Sequence, residues 1–376
     1  MRDLFTITLA ALVSLGAGFS LGFDSTVAAA EFDGPVRGVW VANVGSSALG
    51  SAEKVREFVS LAEFCKLNTL YVVVWNRGMT TYPSEVMSKR FGITVDPRYA
   101  QFDMLDEIVH AAHERDMRVI AWFEFGFSCS YQQPDGGHII AENPHWAARD
   151  SAGKIATKNG FQWMNAFHPE VQDFVLELLQ EILSKYQVDG VQGDDRLPAC
   201  PSTSGYDEWT KKLYKSQHNG KSPPADHLAG EWIDWRADRL NRFMKRMHGE
   251  LKSTHPDRVL SVAPSIYPWS KKNYLQDWPT WLASGWVDEV CPQVYRDNLD
   301  SYRAELGKIS TQQVSKENLR RVYPGVLVRT ASKRYNDGPS IRAMVDANRE
   351  HGFRGEVYFY DAALSEYAEL FAELYD

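Results

Sequence analysis

Val188-Asp189-Gly190-Val191-Gln192-Gly193-Asp194-Asp195-Arg196 has the character of a short buried strand, yet it ends in two adjacent acids. Alternate side chains of a strand face opposite sides, so Gln192 and Asp194 share one face while Val191 and Gly193 share the other. Acids at the carboxyl end of a strand mark a rim rather than a core. The polar face is therefore expected to point into a barrel mouth or cleft.

Outward from this stretch the chain repeats one unit. Before it come strand-like runs at 36–44, 69–76 and 118–126, each followed by a helical pattern, at 51–66, 102–115 and 169–186. After it, strands are expected at 259–265, 289–295, 322–328 and 357–361, and helices at 231–253, 301–313, 341–351 and 365–375. The run Thr69-Leu70-Tyr71-Val72-Val73-Val74-Trp75-Asn76 is continuous and β-branched, as in a strand covered on both faces. In the second helix Leu105, Ile108, Val109 and Ala112 form an apolar stripe. Eight strands alternating with helices, without a break in composition, predict one (β/α)8 TIM barrel over residues 31–376. An open doubly wound sheet is the alternative, but no Gly-rich phosphate fingerprint follows any strand. Loops after strands are long and loops before them short, which places the working face at the carboxyl ends.

The 376 residues, 44% hydrophobic and 24% charged, suffice for one large core. A net charge of −8 argues against nucleic acid or an anionic membrane as partner, since both are met by basic faces. Met1-Arg2-Asp3, an apolar run to Phe23 and Val27-Ala28-Ala29-Ala30 read as a secretory leader over residues 1–30, predicting a secreted or periplasmic protein. An uncleaved anchor is the alternative, because the run is nearly long enough to span a membrane. Cys65, Cys129, Cys200 and Cys291 match no zinc spacing. Cys129 and Cys200 fall just past strand tips, where a disulfide or two unpaired thiols would both fit an exported chain.

In such a barrel the strand tips collect Trp40 and Asn43, Trp75 and Arg77, Trp122 and Glu124, Asp194 and Asp195, Gln293 and Tyr295, and Tyr360 and Asp361. Carboxyls among indoles suit glycoside hydrolysis, which needs one protonated carboxyl to donate to the leaving oxygen and one ionised as nucleophile or base. Neighbouring acids and an apolar wall push two such pKa values apart. Each residue also has a structural reading: Asp195 as a turn or helix cap, Glu124 as the ion-pair partner of Arg77, Gln293 and Tyr295 as internal hydrogen bonders, the tryptophans as barrel filling. No strand tip offers a Schiff-base lysine. His110 and His113 lie on a helix with no acid at metal-binding spacing, so no metal or cofactor is expected.

Several separate motifs, in order, carry a resemblance to the glycosyl-hydrolase-like 10 family. They are Arg37-Gly38-Val39-Trp40, Trp75-Asn76-Arg77-Gly78 with Tyr82-Pro83-Ser84, Ala121-Trp122-Phe123-Glu124, Asn165-Ala166-Phe167-His168-Pro169-Glu170-Val171, the stretch from Asp189 to Asp195, and Pro292-Gln293-Val294-Tyr295. The resemblance implies an exported or envelope glycosidase on a TIM barrel; some members act on peptidoglycan strands stripped of peptides. It places the paired acids on Asp194 and Asp195, and pocket positions on Arg77, Glu124, Asn165, His168, Gln293 and Tyr295. The chain departs from the family pattern at Gly193, usually large and apolar, at Arg196, usually aromatic or His, and at Ala166, usually Pro. Arg196 would lower the pKa of a neighbouring Asp. The expected function is cleavage of O-glycosidic bonds in a polysaccharide, and the alternative is a catalytically silent carbohydrate-binding barrel.

Overall fold

The computed structural model describes residues 34–376; the expected leader at 1–30 lies outside the described residues. Eight parallel strands alternate with helices. They are β1 (Arg37–Val41), β2 (Thr69–Val73), β3 (Arg118–Phe123), β4 (Gly190–Gly193), β5 (Val259–Val262), β6 (Glu289–Val290), β7 (Gly325–Leu327) and β8 (Glu356–Phe359). Their order around the sheet is β6-β5-β4-β3-β2-β1-β8-β7, so each strand lies beside its sequence neighbours. Tyr323 N donates to Val290 O at 2.9 Å and Gly325 N to Pro292 O at 2.8 Å. Those two bonds join β6 to β7 and close the ring, giving the singly wound TIM barrel that the repeat predicts.

The helices that cover the ring are α1 (Ala52–Phe64), α2 (Met104–His113), α3 (Pro169–Lys185), α4 (Gly230–Thr254), α5 (Trp278–Ala283), α6 (Leu299–Lys308), α7 (Gly338–Glu350) and α8 (Ala368–Leu374). Ser51 caps α1 by accepting from Lys54 N, and Asp103 caps α2 by accepting from Asp106 N; each satisfies an amide that the first turn leaves without a partner. The α2 stripe Leu105, Ile108, Val109 and Ala112 is buried. None of the described helices is long and apolar enough to cross a membrane.

Strands end earlier than the apolar runs suggest. β2 stops at Val73, and Trp75–Asn76 turn back to pair antiparallel with Met79–Thr80. The two residues between them, Arg77 (φ 52) and Gly78 (φ 73), both have positive φ, the geometry of a two-residue hairpin turn. Inside the barrel, Trp40 Nε1 donates to Gln192 Oε1 at 2.8 Å and Gln192 Nε2 to Ser261 Oγ at 2.8 Å. Tyr71 donates to Glu289 Oε1 at 2.8 Å. These five buried side chains thus satisfy one another in two small networks. The Cys129–Cys200 disulfide does not form: all four cysteines are free and buried. Cys129 Sγ lies 3.4 Å from Gln162 O and Cys200 Sγ 2.9 Å from Ser204 Oγ.

Candidate active site

The ends of β3 and β4 bring Glu124, Asp194 and Asp195 together around one cation. Arg196 Nη2 lies 2.7 Å from Asp194 Oδ2 and 3.8 Å from Glu124 Oε1, while Nη1 lies 2.8 Å from Asp195 Oδ1. Arg196 Nε donates to the Glu124 carbonyl at 2.7 Å, and its guanidinium lies 4.5 Å from the Phe161 ring centre. The contact with Asp195 is an ion pair without hydrogen-bond alignment.

Two glycines permit this arrangement. After Gly193 the chain turns, with Leu197 N donating to Asp194 O at 3.0 Å, and crosses directly over the strand tips. A Cβ on Gly193 would lie 2.2 Å from Leu197 O, and one on Gly126 (φ +50) would lie 2.2 Å from Arg196 O. Neither position can carry a side chain without moving the backbone that aims the arginine. Gly193 therefore leaves room for the turn that carries Arg196.

The three acids differ in setting. Asp194 is the deepest, with 4% of its side chain exposed against 15% for Asp195 and 20% for Glu124. Gln293 Nε2 donates to Asp194 Oδ1 at 2.6 Å. Burial pushes the Asp194 carboxyl well above the usual range; Arg196 pulls it down, and Asp195 and Glu124 push it up. Burial also raises Glu124, opposed by Arg196 and by a hydrogen bond from Asn76 Nδ2. Burial disfavours the charge on Arg196, but Asp195, Asp194 and Glu124 outweigh it and keep the guanidinium protonated. Tyr295 stands beside the acids, its phenol held protonated by burial and by the charges of Asp194 and Asp195. Trp40 and Trp122, ring centres 6.5 Å apart, lie below, and Tyr295 meets Trp40 edge-on at 6.4 Å.

A model of the family described as Glycosyl hydrolase-like 10 matches residues 35–339. The chain belongs to this family. Among curated proteins, glycosyl hydrolase DigH of Escherichia coli (strain K12) is 24% identical over 299 residues, 69% of this chain and 62% of that protein. Glycosyl hydrolase YngK of Bacillus subtilis (strain 168) is 22% identical over 317 residues, 76% of this chain and 58% of that protein. The chain thus spans about three fifths of the length of these relatives. Among solved structures, the PgaB (BpsB) glycoside hydrolase domain from Bordetella bronchiseptica superposes with TM-score 0.67 at 15% identity, over 90% of this chain and 98% of that one. A GH42 β-galactosidase, Gan42B of G. stearothermophilus, gives TM-score 0.63 at 11% identity, over 90% of this chain and 56% of that one. At these identities the likeness is one of fold, and both neighbours are glycosidases.

Not every residue expected from the strand tips or the family motifs reaches this mouth. Trp75 is fully buried against Phe174 of α3 and donates Nε1 to Gly126 O at 3.0 Å, because the hairpin carries it off the barrel axis. Asn165 is sealed as well: Nδ2 donates to Asp207 Oδ1 at 2.9 Å and Thr210 Oγ1 at 3.0 Å, and Oδ1 accepts from Phe167 N. Tyr360 is buried and donates to Gly45 O at 2.7 Å. These three hold loops rather than face an open cleft. Asn43 is also buried, its carbonyl accepting from Arg98 at 3.0 Å. Arg77 forms no ion pair with Glu124; it lies over the Tyr131 ring at 6.0 Å and lines a cavity of about 400 Å³ with Met79 and His138. His168 opens onto a different cavity, of about 820 Å³, whose lining includes none of the three acids. His110 and His113 do have acid partners, Glu114 at 3.3 Å and Asp189 at 3.0 Å, but in two separate pairs.

Three participants went unread in the sequence. Asn76, inside the Trp75-Asn76-Arg77-Gly78 motif, steadies Glu124. Phe161 stacks on Arg196. Lys158, on the same hairpin, donates to Asn273 and lies 4.6 Å from the Tyr274 ring centre; burial lowers its pKa and Asp195 raises it. Phe161 and Lys158 sit about thirty-five residues beyond the tip of β3, and nothing in local pattern signals their return.

Proposed function

We propose that this barrel hydrolyses O-glycosidic bonds of a polysaccharide, with Glu124 as proton donor and Asp195 as the ionised carboxylate. Asp194 stabilises the pair from below. The observation that carries this reading is the convergence of three carboxyls from two adjacent strand tips beside Tyr295 and over Trp40 and Trp122. Glu124 is the most open of the three and its pKa is raised by burial, the property a general acid needs near neutral pH. Asp195 lies 2.8 Å from Arg196 Nη1, which places it for the second role. Amino-sugar glycans, including peptide-free peptidoglycan strands, are the first substrates to try, with the site of action outside the cytoplasm.

Incubation of the protein with a panel of cell-wall glycans and exopolysaccharides, followed by mass spectrometry, should reveal new reducing ends. Glu124→Gln and Asp195→Asn should each lower release by roughly a hundredfold or more, the contribution of a positioned proton-transfer group. Wild-type rates in both variants would eliminate the assignment. The second reading, a carbohydrate-binding barrel without turnover, draws support from Arg196, which neutralises part of the acid cluster. Glycan retention with no reducing-end release across the panel would select it.

A further inference from the structure

Away from the acid trio, the turn Pro144–Trp146 and the N-terminus of α3 bring His145, His168 and Glu170 together, with one ligand atom from each within 4.8 Å of the others. His145 Nε2 lies 2.7 Å from Glu170 Oε2, and Trp146 Nε1 donates to the same oxygen at 2.9 Å. His168 is 8% exposed, and its buried Nδ1 has no hydrogen-bond partner. A buried imidazole nitrogen without a partner is costly unless something fills the position. The ring is wedged between Trp209, centre to centre 5.3 Å, and His145 at 5.5 Å, so it cannot turn away freely.

We propose that His145, His168 and Glu170 bind one divalent transition-metal ion of the zinc class. Two imidazoles and a carboxylate form a zinc donor set, which leaves a fourth position for water. Bond lengths of about 2.0–2.2 Å set tetrahedral donor atoms roughly 3.3 Å apart, so His145 Nε2 and Glu170 Oε2 would part slightly from 2.7 Å while the gap to His168 closes from within 4.8 Å. His145 and Glu170 are exposed and can make that adjustment, while His168 is the fixed point. The Trp146 indole supplies the outer hydrogen bond that orients the carboxylate. A cation at a helix N-terminus meets the positive end of the helix dipole; Asp150, Asp207 and Glu208 line the adjoining cavity and offset it. The ion would clasp the long loop after β3 to α3, independently of whether the acid trio cleaves glycans.

The test uses untagged protein freed of metal with a chelator, titrated with Zn²⁺ alone by calorimetry and with Co²⁺ by visible absorption. One equivalent should bind, with Co²⁺ bands of a low-symmetry nitrogen–oxygen site and a raised melting temperature. His145→Ala and Glu170→Gln, both at exposed positions, should each weaken binding at least tenfold. His110→Ala, which removes a surface histidine paired with Glu114, should leave it unchanged. No stoichiometric binding at 100 µM metal would overturn the proposal. Binding that survives both site variants would overturn it equally.

Discussion

Replacing Arg196 by Gln leaves three carboxyls facing one another without their cation, and the cost should depend on pH. At an effective dielectric constant near 20, contacts of 2.7 to 3.8 Å correspond to about 4–6 kcal/mol of gross attraction each. Much of that offsets the desolvation of the guanidinium, so the net loss expected from removing one partner of a buried ion cluster is about 3–5 kcal/mol at pH 8. The carboxyls can relieve the loss by taking up protons. Asp194 and Glu124 already lie above their ordinary values, and losing Arg196 moves both further up. A carboxyl with a raised folded-state pKa binds protons on folding, so the stability it contributes is present below the unfolded value near 4 and is lost as pH rises through the folded value. The deficit of the variant should therefore be small near pH 4.5 and widen toward pH 8. Urea unfolding followed by tryptophan fluorescence at pH 4.5, 6 and 8 measures it. A deficit below about 1 kcal/mol at pH 8, or one that does not change with pH, would refute the picture of three acids balanced on one guanidinium.

Gly193→Ala should destabilise the fold by about 2–4 kcal/mol and abolish any glycan cleavage, because its Cβ would meet backbone at 2.2 Å; thermal melting and product release measure the two effects, and a fully active variant would contradict the seat described for Arg196. Asp361, hydrogen-bonded by Ala42 N and Ser46 Oγ, is pushed up to about 7 by burial. Wild-type stability should therefore fall by up to about 1.4 kcal/mol per pH unit between pH 4 and 7 from this group, a loss that Asp361→Asn escapes. The variant should gain on wild type between pH 4 and 7 in denaturant titrations, and a constant offset would count against it. Asn165→Ala should cost about 3 kcal/mol, since Asp207 and Phe167 N lose buried partners, with the KM for any cleaved glycan unchanged; a raised KM with normal stability would return Asn165 to the pocket.

The barrel was legible because eight apolar runs of similar length alternate with helical stripes, and because loop length is so unequal at the two ends. Side-chain parity located Gln192 and Asp194 on the inner face, where the pleat is still regular. Parity fails once the chain leaves the pleat. Trp75 lies only two residues beyond Val73, yet the positive-φ turn at Arg77-Gly78 redirects it toward α3. Asn165 carries the chemistry of a sugar contact and spends it on Asp207 and Thr210, at the start of the helix Glu208–Gln217 more than forty residues away. The role of Arg196 was legible only in part: its neighbours in sequence showed it beside an acid pair, but not that the bare Cα positions at 126 and 193 let it reach Glu124. His145 lies twenty-five residues before Glu170 and outside every family motif, so nothing in the sequence paired the two.

The seat formed by Gly126 and Gly193 fixes which part of the molecule can vary. Because Arg196 is anchored to the tips of the same two strands that present the acids, positive and negative charge move as one body. The excursion that begins at Pro198 and ends near α4 hangs from the far side of that anchor. Residues 199–210 of it are packed against Asn165 and Arg236, so only the exposed and half-buried stretch at 215–230 could be shortened, lengthened or exchanged while the electrostatics of the acid trio stay as they are.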